Sequence, residues 1–260
     1  MNLKNRKLFE HEQTLRREVF FTEKKWPHFD ILFKNIKQIS KKLKRDSVIV
    51  SLERGNLYGN ISLLAPFFEN KKFISVDCSG KEILKRGSYN KKYVSSKKII
   101  KIPIDYHFDH KRIKLKKNLA DCVIIPNLIH HINDHDNLFK QIKKILKKNG
   151  FLYIFEPLLR ELHQIPEDYL RYTPYGLEYK LKKFGFKKFK SQVSGGPFTA
   201  IAYCWDQALQ YIPKNIRDNK TKWFYQKHFK SLITMEKKYK KNLVRKNTSF
   251  PVSFSLTAYK

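Results

Sequence analysis

The sequence predicts an α/β fold, a doubly wound and mostly parallel sheet of seven strands. Three observations carry that expectation. Between residues 46 and 195, short apolar runs alternate with amphipathic stretches, the order expected of strands covered by helices on both faces. The first run, SVIVSL, passes into a turn bearing Gly55, and the second, KFISVD, ends in Asp77. The last segment, SFPVSFSLTAYK, alternates Val252, Phe254, Leu256 and Ala258 with the period of a strand.

Residues 1–45 read as an N-terminal helical segment. Phe9, Leu15, Val19 and Phe20, then Phe29, Ile31, Leu32, Ile36 and Ile39, recur at spacings near three and four, and Pro27 divides the stretch into two helices. VIVSL (48–52) is the first strand. NISLLAPFF (60–68) reads as a helix with Pro66 at a kink or an end. KFISVD (72–77) is the second strand, residues 80–87 a short helix, KIIKIPI (98–104) the third strand and DCVIIPN (121–127) the fourth. DHDNLFKQIKKILKKNG (134–150) is the clearest helix. Its stripe is Leu138, Ile142, Ile145 and Leu146, with Asp134 as N-cap and Gly150 as the stop. FLYIFEP (151–157) is the fifth strand. Thr173 caps and Pro174 opens a helix that runs through Leu177 and Leu181 to Gly185. KKFKSQVS (187–194) is the sixth strand, and Gly195-Gly196-Pro197 a turn. Residues 198–245 read as mostly helical, with Trp205, Leu209, Tyr211, Trp223, Phe224 and Leu232 on apolar faces. The expected division is therefore a helical segment (1–45), a core (46–195), a helical insertion (196–248) and a final core strand (249–260).

Of the 260 residues 41% are hydrophobic, enough for a sizeable core. Every apolar run is broken well short of the roughly 18 residues that a spanning helix needs. The first 20 residues are charged throughout, unlike a signal peptide. Cys78, Cys122 and Cys204 lie far apart, which suits a reducing compartment, so a cytoplasmic protein is expected. The formal net charge is +32, yet 44 of the 55 basic residues are lysine rather than the arginine that base readout favours. The charge reads as a solvated lysine-rich surface or as a basic face for an anionic substrate or membrane surface, ahead of nucleic acid.

In doubly wound sheets ligands sit beyond the carboxyl ends of the strands, where the strand order reverses. That topology draws Gly55, Asp77 and Asn127 together. The order of the pieces resembles the class I S-adenosylmethionine-dependent methyltransferases over residues 46–195 and the last strand. The landmarks are the glycine turn, FISVDCS, ADCVIIPNLIHHIND and ILKKNGFLYIFEP. LHQIPEDYLRYTPYGLEYKLKKFGF is similar to a subgroup associated with surface-polysaccharide biosynthesis. The resemblance implies S-adenosylmethionine as cofactor and a small-molecule or glycan acceptor in cell-envelope metabolism.

It also implies roles for residues. Asp77 would take the ribose hydroxyls and Asp105 the adenine amino group, with Asp109 competing for that position. Asn127 would position the methyl donor or the acceptor. The family pattern is an acid, an apolar residue, then Gly-x-Gly. Aligned on Gly55 as the second glycine, this chain has Ser51 for the acid and Glu53 for the first glycine, and Leu57 replaces a later glycine. Glu53 or Arg54 would then pair with the amino-acid part of the cofactor. A narrowed pocket in a binding or scaffold protein is the alternative, and an RNA methyltransferase a third reading. His163 is the candidate base and Arg171 a clamp for an anionic group, unless Arg171 pairs with Asp168 instead. His130 and His131 are adjacent and are expected to point apart. With no Cys or acid at a fitting spacing, no metal site is expected.

Overall fold

The computed structural model describes residues 3–16, 27–55, 59–79, 96–108, 112–209, 211–245 and 250–260. Two helices come first, α1 (Leu3–Thr14) and α2 (Pro27–Lys42). The strands are β1 (Val48–Glu53), β2 (Lys72–Asp77), β3 (Tyr106–His107), β4 (Ala120–Pro126), β5 (Leu146–Pro157), β6 (Lys187–Ser194) and β7 (Ser253–Tyr259). Between them lie α3 (His135–Ile145), α4 (Pro174–Lys183), α5 (Pro197–Leu209), α6 (Lys214–Phe224) and α7 (Lys230–Arg245). The sheet has seven strands in the order β3-β2-β1-β4-β5-β7-β6. β7 runs antiparallel to both of its neighbours, and the pairs among β1 to β5 are parallel.

Two apolar layers clasp the sheet, because alternate strand residues face opposite sides. Ile49, Cys122, Ile124, Tyr153 and Phe155 pack on one side with Phe29, Leu32, Phe33 and Ile36 of α2. Val50, Leu52, Val123, Ile125, Leu152 and Ile154 pack on the other with Leu138, Phe139, Ile142 and Ile145 of α3 and Leu177 and Leu181 of α4. Full burial of such a side chain contributes about 1.5–3 kcal/mol. The four α3 residues alone therefore outweigh the weak propensity of a helix of 11 residues. Asp134 caps α3 by accepting from the Asn137 N–H, and Thr173 caps α4 by accepting from the Gly176 N–H. None of the described helices is long and apolar enough to cross a membrane.

Four expectations need correction. Residues 60–68 are not an α-helix. Only Ala65–Phe68 forms a single 3-10 turn, and residue 61 makes an antiparallel bridge to Pro103. The Ser62 N–H donates to the Ile102 carbonyl and the Ile104 N–H to the Asn60 carbonyl, so this chain bonds residues 102 and 104 in place of the sheet. The third strand is instead the two-residue Tyr106–His107, beyond the predicted range of 98–104. Pro103 lacks the donor that a ladder position requires. The fifth strand starts earlier, at Leu146, and Gly150 lies within it instead of ending the helix. A Cβ at Gly150 would lie 2.9 Å from the Ala120 carbonyl oxygen, so the glycine serves close strand packing. In the insertion Phe224 is buried and Trp205 packs on it, while Tyr211 is 82% exposed and is no part of a core. The predicted helix at 80–87, together with Val19, Phe20, Leu57 and Asp109, falls outside the described residues.

Candidate functional site

The strand order reverses between β1, which feeds β2 and β3 on one side, and β4, which feeds β5 on the other. β1 and β2 end in register, Glu53 opposite Asp77. Asn127 follows β4 with φ of 56°, a left-handed conformation that asparagine tolerates better than most residues. Its N–H donates to the Phe155 carbonyl at 2.6 Å. The expected convergence of Gly55, Asp77 and Asn127 at the carboxyl edge thus follows from the topology.

Each acid on the β1–β2 side holds nearby chain. Glu53 is buried, and its two carboxylate oxygens accept from Ser62 Oγ at 2.7 Å and from the Leu63 N–H at 2.8 Å. Burial pushes its pKa up, against the hydrogen bonds from Ser62 and the Leu63 backbone. This corrects the sequence register by two residues. Glu53 ends β1 and folds back across the turn, as befits the acid of the pattern, whereas Ser51 lies fully buried within the strand. Arg54 then stands in the apolar place, Gly55 is the first glycine and Leu57 takes the place of the second. A Cβ at Gly55 would come within 2.4 Å of Ile104 Cγ1, so a side chain there would have to displace that of Ile104 from the turn. Arg54 does not point toward open cleft. It is buried and donates to Glu167 at 3.2 Å.

Asp77 accepts from the Ser79 N–H at 3.0 Å and Ser79 Oγ at 2.7 Å, and its other oxygen lies 3.2 Å from His107 Nδ1. Asp105 reaches across to β2, where one oxygen accepts from the Ser75 N–H at 2.7 Å and Ser75 Oγ at 2.8 Å. That oxygen anchors the sheet edge, and Asp105 itself is exposed. His11 of α1 braces the same region. Its Nε2 lies 3.0 Å from the Leu63 carbonyl and its Nδ1 accepts from the Ile100 N–H at 3.1 Å, an arrangement open only to a neutral ring.

The β4–β5 side is built from residues that the sequence leaves apart. Glu156, buried near the end of β5, accepts from the Leu128 N–H at 2.7 Å, the Ile129 N–H at 2.6 Å and His130 Nδ1 at 2.6 Å. The Ile129–His131 turn is thereby tied to β5. His131 Nδ1 bonds the Glu167 carbonyl. His163 Nδ1 lies 3.2 Å from the Glu161 carbonyl and 3.1 Å from an Asp168 oxygen. The three rings meet, with centroids 3.9 Å apart for His130 and His131, 4.8 Å for His131 and His163, and 5.3 Å for His130 and His163. The two adjacent histidines do not point apart, because the 3-10 turn and its separate partners swing both rings the same way.

Burial, Arg160 and His130 push the His163 pKa down to about 3, so it is a poor general base at neutral pH. That counts against the role expected for it. Burial of Asp168 is outweighed by Arg171 and the His163 N–H, which hold its pKa at about 2. Both Arg171 terminal nitrogens donate to Asp168, one of them at 2.7 Å, so the fork is closed by its own neighbour rather than open to an anion. Beside Asn127 a small cleft is lined by Phe29 of α2, Phe155, Arg160, Tyr203 of α5 and Ser253. The N-terminal helices and the insertion therefore flank the far side of the site.

Glu156, Glu167 and Ser62 were not singled out from the sequence. A signal for Glu156 exists: an acid ending the apolar run FLYIF is a buried charge that needs donors.

The methyltransferase domain family matches residues 52–154. No curated protein matches the chain. Among the solved structures that resemble it are two methyltransferases. Phosphoethanolamine N-methyltransferase 2 of Haemonchus contortus, in complex with S-adenosyl-L-methionine, superposes with a TM-score of 0.51 at 14% identity over 96% of this chain. This chain spans 57% of that protein's length. A SAM-dependent methyltransferase of Archaeoglobus fulgidus gives a TM-score of 0.50 at 12% identity, covering 95% of this chain and 98% of its own. The shared feature is the fold, the seven-stranded Rossmann-like sheet of methyltransferases.

Proposed function

We propose that the protein is an S-adenosylmethionine-dependent methyltransferase acting on a small-molecule or glycan acceptor in cell-envelope polysaccharide synthesis. The observation that carries this reading is the turn after β1. With Glu53 as the acid and Gly55 as bare backbone beneath Ile104, only Arg54 and Leu57 depart from the glycine-loop pattern. Asp77 and Asn127 flank that turn at the reversal point, and the methyltransferase-domain match covers both. When bound, the cofactor supplies a methyl group on a sulfonium, which an acceptor takes by in-line displacement. The chain's part is to hold the two in line and keep water out. Asp77 is the acid that would hold ribose hydroxyls, and Asn127 the polar group nearest the transfer. The acceptor class rests on the 163–173 resemblance alone.

Calorimetric titration of the purified protein with S-adenosylmethionine and S-adenosylhomocysteine, beside Asp77→Ala checked for fold by circular dichroism, tests the reading. Micromolar binding that weakens at least about tenfold in the variant is expected, one lost charged hydrogen bond being worth about 1.5–3 kcal/mol. Absence of binding by folded wild-type protein would overturn the reading. Screening of nucleotide sugars and glycans as acceptors then tests the finer part.

A further inference from the structure

The geometry points to a divalent metal site formed by His130, His131 and His163, of the kind that takes zinc. One ring nitrogen from each histidine lies within 4.8 Å of the other two. Every Nδ1 is already committed: His130 to the Glu156 carboxylate, His131 to the Glu167 carbonyl, and His163 to the Glu161 carbonyl and Asp168. The nitrogen left to ligate is Nε2 in all three. An outer carboxylate or carbonyl on the opposite nitrogen is the arrangement that fixes the tautomer and orientation of a metal-binding histidine.

A second observation is independent of the spacing. His130 is 1% exposed, and its Nε2 has no hydrogen-bond partner. An N–H at that atom would be a buried donor left unsatisfied, whereas a lone pair is what a cation takes up. Three arginines stand around the cluster, each beside a carboxylate, and one buried carboxylate is left over. Glu167 pairs with Arg54, Asp168 with Arg171 and Glu161 with Arg160. Among the described residues, Glu156 faces two backbone N–H groups and His130, with no lysine or arginine paired to it. A cation on His130 Nε2 compensates that buried carboxylate through the ring.

Three imidazoles suit zinc and its neighbours in the first transition row. A zinc shell at 2.0–2.1 Å requires roughly 3.4 Å between tetrahedral nitrogens, so the rings draw together by about 1 Å on binding. Three protein ligands leave a fourth position open, as in catalytic rather than structural zinc sites.

The test needs neither methyl donor nor acceptor and so stands apart from the reading above. Full-length protein without a polyhistidine tag is stripped with chelator and titrated with Co²⁺, followed by visible absorption, and with Zn²⁺ against a chromogenic chelator. One equivalent is expected to bind at micromolar or tighter affinity, with the absorption bands of four-coordinate cobalt, and Zn²⁺ should raise the unfolding midpoint. His163→Ala should weaken binding by about 100-fold, and His228→Ala, half-buried against Trp205 and Trp223 in the insertion, should leave it unchanged. No stoichiometric binding by the wild type overturns the site, as does His163→Ala protein that folds and binds equally well. Should His163→Ala fail to fold, the wild-type titration and midpoint decide.

Discussion

The two halves of the carboxyl edge are built differently. On the β1–β2 side each acid bonds a serine or backbone amide close by in the chain or on the next strand. Asp77 bonds Ser79, two residues away, and Glu53 bonds Ser62, nine residues away. On the β4–β5 side the contacts join distant segments: His130 to Glu156 across 26 residues, His131 to Glu167 across 36, and Arg54 to Glu167 across 113. The acids of the first half, Glu53 and Asp77, are held chiefly by short braces around the turn. The second is a buried polar nest that exists only once β5 and the 161–172 segment have docked. Short braces tolerate loss one at a time. A nest does not, because removing one member leaves several buried partners unsatisfied.

Glu156→Ala has the largest expected effect. It strands the Leu128 and Ile129 amides and His130 Nδ1 together, and a loss of ~3–5 kcal/mol in urea unfolding is expected. A loss under ~1 kcal/mol would mean that the nest is no more than a set of braces. Gly55→Ala comes next, at ~1–3 kcal/mol from the clash with Ile104. Ile104→Ala should restore part of it in the double variant, and strict additivity of the two changes would show that the close approach is not what the glycine serves. His11 gives the smallest effect. Burial holds its pKa below the ordinary 6.5, against the Leu63 carbonyl and Glu12. Its contribution is therefore complete above pH ~6.5 and is lost as the pH falls from there toward the lowered folded value, since the unfolded chain takes up the proton first. Unfolding measured between pH 7.5 and 5 should fall less steeply in His11→Gln than in wild type, and parallel curves would remove His11 from the brace.

Strands with buried faces were legible in the sequence as apolar runs, and the exposed sixth strand was legible as well. VIVSL, KFISVD and DCVIIPN are each bracketed by polar turns, and burial on both faces writes a continuous apolar run. The third strand was misread because KIIKIPI is equally apolar, yet its partner is the 60–62 chain. Apolarity reports burial and says nothing of which neighbour supplies the hydrogen bonds. The glycine turn was found but set two residues out of register, because an acid that folds back and an acid that replaces a glycine look alike in a string of letters. The side chain's direction separates them.

By itself the sequence determined the alternating α/β order, the caps at Asp134 and Thr173, and the convergence of Gly55, Asp77 and Asn127, since periodicity, capping and chain reversal are local or topological matters. Only the tertiary structure decided that Arg171 is closed onto Asp168, that burial leaves His163 a weak base, and that three histidines from two segments share one buried spot. Those outcomes depend on desolvation and on distances between residues remote in the chain, which no local pattern encodes.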